Sequence, residues 1–263
     1  MIRAVRAAAP TSAPPRAARR VGDAWRRLSA ATVQPTIFDP TMVVDLPEPA
    51  RRWLTHAIAT GTPLWQSVEL SMVGEIRLDS WRPFTATQVV APPEGYIWAA
   101  TTRLFGLPVM GYDRLTSGTG EMRWRLLNLI PVVSEAGRDI ARSAAGRLAS
   151  EIVLIPTAFR DATWTLGASS DKAVATWRHG ADQESVEVQV GRDGRLLGLL
   201  MQRWGKPTGE PFGRYPFGCT VEAERTEAGI TLPGVFRAGW WWGTDRQNEG
   251  EFFRARLTAV TFH

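Results

Sequence analysis

Hydrophobic and polar residues alternate with a period of two over most of the chain beyond residue 64. In the clearest stretch, apolar residues occupy every second position, at Val68, Leu70, Met72, Ile76 and Leu78. The residues between them are mainly polar. Successive side chains of a β-strand point to opposite faces, so this pattern predicts a long strand with one buried face. Gly74 lies within the strand and marks a position where it can bend.

The same alternation recurs in short segments separated by turn sequences. FTATQVVA and GYIWAAT flank the turn PPEG, and ESVEVQV precedes GRDG, which is typical of a hairpin. Such short connections require antiparallel neighbours, because parallel strands need long crossovers. The fold class is therefore mainly β with helices (α+β), with about 11–13 strands curling into an antiparallel sheet or half-barrel.

Helical periodicity is confined to a few segments. A short helix is expected near RVGDAWRRLSAA, and PEPARRWLTHAIATG has one apolar stripe formed by Ala50, Trp53, Leu54, Ala57 and Ile58. A third helix is expected over residues 138–154. The predicted organisation is a basic Ala/Pro-rich leader, short helix and linker over 1–45, followed by a single curved β-sheet domain over 46–263.

The 138–154 helix is built mainly from small residues, including the row Ala141, Ala145 and Ala149. Gly146 costs a helix interior about 1 kcal/mol relative to alanine, so a packing requirement must offset it. A helix inside a concave sheet has that requirement, because large side chains would push it away. We therefore predict that this helix closes the concave face.

The positive charge is concentrated in one part of the chain. Residues 1–27 contain seven arginines and one aspartate, whereas the remainder holds 24 basic and 25 acidic residues. The folded part is thus neutral, which argues against a specific nucleic-acid-binding domain. The same distribution predicts that deleting 1–27 leaves folding intact and that this tail can contact an anionic surface.

Several chemistries lack the residues that they require. One cysteine excludes a disulfide framework, and the three histidines have no metal-binding spacing, so neither a metal site nor a cofactor is predicted. Nucleotide-binding and nucleophile-elbow motifs are missing as well. No stretch of about 18 apolar residues occurs, and the expected location is the cytoplasm.

Candidate ligand-binding residues lie on the predicted sheet and on the 138–154 helix. Arg147 and Glu151 are four residues apart and can pair across a helical turn, which is also a common surface arrangement. Alternation places Trp240 and Trp242 on one face, where core packing is the alternative role. The complete set of candidates is Trp98, Tyr112, Arg114, Trp124, Arg142, Arg147, Glu151, Trp240 and Trp242.

Several motifs together resemble a family of uncharacterised proteins found in actinobacteria. The segments are WRPF, GLPVMGYDR, MRWRLL and RSAAGRLASE, and the resemblance extends over about residues 45–262. It implies an architecture similar to the lipoprotein-carrier type of fold, in which helices close a curved antiparallel half-barrel around an apolar cavity. The family carries no established activity, so the resemblance implies no catalytic residue.

The favoured function is non-enzymatic binding of an apolar or amphipathic small molecule, such as a lipid, between the helix and the concave sheet. An enzyme acting on a hydrophobic substrate, with Glu151 or Tyr112 as its acid/base, is the first alternative. A structural or interaction protein whose core is filled by its own side chains is the second.

Overall fold

The computed structural model describes residues 13–179 and 182–263. Thirteen strands make up most of it: β1 Val68–Arg77, β2 Trp81–Ala91, β3 Gly95–Leu104, β4 Leu107–Thr116, β5 Thr119–Leu126, β6 Ile130–Ala136, β7 Thr163–Leu166, β8 Lys172–His179, β9 Asp182–Val190, β10 Leu196–Gly205, β11 Gly213–Glu227, β12 Ile230–Trp240 and β13 Glu251–Phe262. The α-helices are α1 Gly22–Leu28, α2 Glu48–Ala57, α3 Arg138–Ser150 and the single turn α4 Gln247–Gly250.

All thirteen strands form one antiparallel sheet. Its order is β6-β5-β4-β3-β2-β1-β13-β12-β11-β10-β9-β8-β7, so the first and last strands of the chain meet at its centre. The outer strands β6 and β7 do not pair with each other, and the sheet is an open half-barrel. The predicted fold class and strand number are both confirmed.

Close backbone approach at the centre of the sheet explains Gly74. Gly74 of β1 pairs with Ala255 of β13, and a Cβ at this position would collide with the carbonyl group of Arg254. A side chain cannot be accommodated there without moving β13. The glycine therefore permits the tight pairing of β1 with β13.

One end of the half-barrel is covered by α2. Its apolar stripe is buried as predicted, with Trp53 and Leu54 at 2% and 0% exposure, and it contacts β8, β9 and β12. The ring of Trp53 lies 6.0 Å from that of Trp164 on β7. The helix covers the core near the turn from β11 to β12. Its His56 contacts Glu224 of β11 at 2.9 Å.

The N-terminal segment packs on the outer, convex face of the sheet. A 3-10 helix over Arg16–Val21 leads into α1, and the two contact β2, β3 and β4. Trp25 is fully buried in a small apolar cluster with Ala18, Ile97 and Tyr112. Deletion of 1–27 would remove this cluster, so the expectation that folding tolerates that deletion is revised: the loss of Trp25 should destabilise the protein. Residues 1–12 of the basic tail lie outside the described residues.

The small-residue helix spans the opening of the half-barrel. Helix α3 continues into a 3-10 turn at Glu151–Leu154, which confirms helical structure over 138–154. It contacts β4, β5 and β6 on one side and β9 and β10 on the other. Gly120 of β5 lies against the backbone of Ala141, and Gly146 lies against β10. The small side chains allow close approach to both halves of the sheet, as predicted.

Substitution of Gly146 by leucine should destabilise the protein. A Cβ at this position would lie 3.0 Å from Cγ of Arg203 and 3.6 Å from Cε of Met201, so a larger side chain overpacks the contact with β10. We expect Gly146→Leu to lower the free energy of unfolding by about 1–3 kcal/mol in urea titrations. Arg138→Leu, an exposed position in the same helix, serves as the control. Equal stability of the two variants would show that α3 does not pack closely on β10.

Candidate functional site

A cavity of about 540 Å³ lies between α3 and the concave face of the sheet. Helix α3 contributes Ile140, Ser143, Ala144 and Arg147 to its wall. The sheet and the loop from β10 to β11 contribute aliphatic and polar side chains together with several aromatic ones, among them Trp98, Phe212, Phe217, Phe236, Trp240 and Phe253. The cavity is thus predominantly apolar, with a small number of polar groups at defined places.

Four polar side chains meet at one side of this cavity and are called the Arg147 cluster: Arg147, Glu151, Asp113 and Gln88. Arg147 Nε donates to Glu151 at 2.7 Å, and its Nη1 donates to Asp113 at 3.4 Å. The second Glu151 oxygen accepts from the Gln88 amide at 2.6 Å. These bonds connect α3 and its C-terminal turn to β2 and β4.

Aromatic rings surround the Arg147 guanidinium. Its carbon lies 4.7 Å from the ring centre of Tyr96 and 5.2 Å from that of Trp98, both on β3. The ring of Trp124 packs against that of Trp98 at a tilt, with 5.6 Å between the ring centres, and its indole N–H donates to Asp113 at 2.8 Å. Each charged group of the cluster therefore has hydrogen-bonded or aromatic partners, as buried charges require.

Burial and the neighbouring charges shift the pKa values in the cluster. Burial raises the pKa of Asp113, opposed by Arg147 and by the hydrogen bond from Trp124. Burial by itself lowers the pKa of Arg147, but Glu151, Tyr96 and Asp113 together outweigh it and hold that pKa above its ordinary value. Burial also raises the pKa of the Tyr96 hydroxyl. Arg147 therefore stays charged, and Asp113 takes up a proton more readily than an exposed aspartate does.

A buried arginine of β10, Arg203, also lines the cavity. Its Nε and Nη2 donate to the Ser143 carbonyl at 3.3 and 3.2 Å. Its guanidinium carbon lies 4.6 Å from the ring centre of Phe217 and 5.3 Å from that of Trp240. Burial lowers its pKa to about 10.

Sequence reasoning missed Gln88, Asp113 and Arg203, although a signal for them was present. Each is a polar residue at the buried parity of its strand: Gln88 follows Phe84 and Ala86, and Arg203 follows Leu199 and Met201. Asp113 precedes the buried Leu115 by two positions. A polar side chain at a concave-face position is the pattern that would have identified all three.

Five of the predicted site residues do come together. Trp98, Arg147, Glu151 and Trp240 line the cavity, and Trp124 contacts both Trp98 and Asp113. The predicted pairing of Arg147 with Glu151 is present, but in the buried cluster and not on the surface.

Tyr112 and Arg114 share one side of β4, as predicted, but that side is the convex one. Tyr112 packs in the cluster around Trp25, and its hydroxyl donates to Glu121 at 3.1 Å. Arg114 donates to the same carboxylate at 2.8 Å, and it is also among the residues that line the cavity. The register explains this correction, because Asp113 and not Tyr112 pairs with Trp98.

Trp242 and Arg142 also lie outside the cavity. Strand β12 ends at Trp240, and Trp241 adopts a φ of +58°, which breaks the alternation on which the shared face of Trp240 and Trp242 depended. Trp242 is buried beside Gly218, on the face opposite Phe217. Arg142 projects to the side of α3, where its guanidinium covers Trp204 at 3.8 Å.

The fold and the site together define a class of protein. In this class an antiparallel half-barrel has one helix across its opening, and an apolar cavity lies beneath the helix. Residues 36–252 match the family described as a family of unknown function, DUF6544. The chain belongs to this family, in agreement with the predicted membership of an uncharacterised family. No match was found among curated proteins.

Solved structures with a similar fold include three bacterial proteins. One is a putative outer membrane lipoprotein-sorting protein domain from Vibrio parahaemolyticus, with 7% identity, a TM-score of 0.47, and 86% of this chain and 94% of that chain covered. A LolA superfamily protein from Nitrosomonas europaea has 10% identity, a TM-score of 0.44, and 83% and 94% coverage. A DUF1329 family protein from Desulfovibrio piger has 11% identity, a TM-score of 0.45, and 86% and 94% coverage. Among the described helices, none has the length and apolarity needed to cross a bilayer.

Removal of Arg147 should be far more costly than removal of the Asp113 charge. Arg147→Met leaves two buried carboxylates without their cation, and we expect a loss of about 3–5 kcal/mol in the free energy of unfolding. Asp113→Asn keeps an oxygen for the Trp124 N–H and removes a charge that burial disfavours, so its cost should be smaller. Urea unfolding at neutral pH compares the two. Equal costs would contradict the central position of Arg147.

Proposed function

We propose that this protein binds an apolar or amphipathic small molecule, without catalysis, in the cavity between α3 and the concave sheet. The observation that carries the proposal is the cavity itself, with its volume of about 540 Å³ and its mainly apolar, aromatic-rich wall. Small-molecule sites typically have volumes of about 300–1,000 Å³, apolar linings and a few convergent polar groups. The Arg147 cluster and Arg203 are such polar groups.

A core filled by the protein's own side chains accounts less well for this space. Protein interiors are close-packed, with few voids larger than a water molecule. The chain has 12 tryptophans and 10 phenylalanines, yet three of the five residues that α3 places in the cavity wall, Ser143, Ala144 and Ser150, are small. A sequence selected only for a packed core would fill this volume, so a ligand is the more economical explanation for the small residues.

The two acid/base candidates are poorly placed for catalysis. Both Glu151 oxygens have partners, one in Arg147 and the other in Gln88. Tyr112 faces the convex side and hydrogen-bonds to Glu121 there. These contacts favour a binding role over an enzymatic one. Location in the cytoplasm and contact of the basic tail with an anionic surface stay predictions from the sequence.

Filling the cavity with a larger side chain should block binding of an apolar probe. Ala238 of β12 lines the cavity between Phe236 and Trp240, so Ala238→Phe adds its ring to the ligand space. Nile red, a neutral apolar fluorophore, is titrated with fluorescence as the readout. We expect its dissociation constant to rise at least about tenfold, with the unfolding midpoint retained because the ring enters unfilled space.

Ala259→Phe provides the matched control. Ala259 is exposed on β13, so the same substitution adds a ring to the surface and should leave Nile red binding unchanged. Binding that is equally strong in both variants would place the probe elsewhere and contradict the proposed site. Failure of the wild-type protein to bind Nile red would contradict the proposed function.

A further inference from the structure

We infer that Arg203, assisted by Lys206, binds the anionic headgroup of a single-chain amphiphile, a carboxylate or a phosphate, whose apolar chain lies in the aromatic cavity. The inference rests on the proposed function, because it names the chemistry of the molecule held there. Three observations support it: the burial of Arg203, its lack of a carboxylate partner and its position beside the aromatic wall.

Arg203 is buried but not saturated with hydrogen bonds. Its exposure is 9%, and its Nε and Nη2 both donate to the carbonyl oxygen of Ser143. Its Nη1 donates to no residue within 13–179 or 182–263, and the side chain lines the cavity. An arginine presents its donors as a planar fork, which suits two oxygens of one carboxylate or phosphate.

The carboxylates around Arg203 are committed to other arginines. Asp113 and Glu151 pair with Arg147, and Glu184 of β9 accepts two bonds from Arg214, each at 3.0 Å. Across the part of the chain that the structure describes, no carboxylate lies within 4.0 Å of the Arg203 guanidinium. A buried cation without a carboxylate in direct contact is costly, and an anionic ligand bound to it would reduce that cost.

Lys206 extends the positive wall toward solvent. It follows β10 directly, is exposed and lines the cavity, with its Nζ 5.8 Å from the ring centre of Phe212. No carboxylate partner of Lys206 occurs among the residues described. The two cations thus follow one another along β10 and the loop after it, from the buried wall to the margin of the cavity.

Aromatic side chains of the cavity wall lie directly beside the Arg203 guanidinium. Phe217 and Trp240 contact the Arg203 guanidinium by their ring faces, and Phe236 and Phe253 continue the cavity along β12 and β13. A headgroup bound at Arg203 therefore places an attached hydrocarbon chain against aromatic surface. This arrangement matches an amphiphile with one charged end. A purely structural role, in which Arg203 only holds Ser143, predicts no dependence of binding on the headgroup.

Four ligands with the same twelve-carbon chain separate these possibilities. Dodecanoate, dodecyl phosphate, dodecan-1-ol and dodecylamine are each used to displace Nile red from the wild-type protein. We expect the two anions to bind at least about tenfold more tightly than the alcohol, as a charge-assisted hydrogen bond to a buried arginine implies, and the amine most weakly. The ratio of dodecanoate to dodecyl phosphate identifies the preferred anion.

Variants then assign the preference to its residues. Arg203→Gln should reduce the advantage of the anions over the alcohol at least about fivefold, because the affinity for the anions falls more than the affinity for dodecan-1-ol. Lys206→Gln should reduce it less, because this side chain is exposed. Arg142→Gln, a cation of α3 outside the cavity, is the matched control and should leave all four affinities unchanged. Circular dichroism and the unfolding midpoint check that each variant folds.

Each outcome supports or overturns the inference. Equal binding of all four ligands by the wild-type protein overturns it but leaves the proposed apolar site intact, whereas displacement by none of them overturns the proposed function. An undiminished anion preference in folded Arg203→Gln assigns the headgroup elsewhere and also overturns it. If Arg203→Gln does not fold, the test rests on Lys206→Gln. A smaller preference for the anions in that variant than in the wild-type protein supports the inference, and an equal preference overturns it.

Discussion

The architecture depends on the guanidinium of Arg147, whose side chain is 18% exposed. It bonds α3 to the β3–β4 side of the concave sheet, since it contacts Asp113, Tyr96 and Trp98 from the sheet and Glu151 from the turn that ends the helix. A buried charge is tolerable only when partners surround it, so the positions of β3, β4 and the helix are mutually determined. The cavity is the space left between these fixed elements and the aromatic wall.

The two sides of α3 contact the sheet in different ways. Toward β10, Gly146 and the small residues beside it allow the helix backbone to approach Arg203 and Met201 closely. Toward β3 and β4, the long side chain of Arg147 spans the distance that a small residue would have closed. Close packing therefore positions the helix against β10, and the Arg147 side chain joins it to β3 and β4. A helix with large apolar side chains would have filled the opening, and one without Arg147 would have lost its bond to β4.

Most of the fold could be predicted from the sequence, because its strands, turns and closing helix each follow from a local pattern of residues. Alternation with a period of two predicted the strands, short turns predicted their antiparallel pairing, and the small residues of 138–154 predicted the closing helix. The site was accessible only in part. Arg147, Glu151, Trp98 and Trp240 followed from helix spacing and strand parity, and the same parity could have located Asp113 and Gln88. Trp242 was misplaced because Trp241 turns with a positive φ, which alternation does not reveal. The isolation of Arg203 from carboxylates is a tertiary property, since its neighbours come from α3, β11 and β12.

The central claim is that the cavity is a ligand site and not an unused void. Native mass spectrometry of protein purified without detergent tests it most directly, because a ligand held by an aromatic wall and a buried arginine should survive gentle transfer to the gas phase. We predict a fraction of the protein carrying an additional mass of one small amphiphile, and loss of that mass in Ala238→Phe but not in Ala259→Phe. A protein that shows only its own mass, and gains none after incubation with dodecanoate or dodecan-1-ol, would contradict the account.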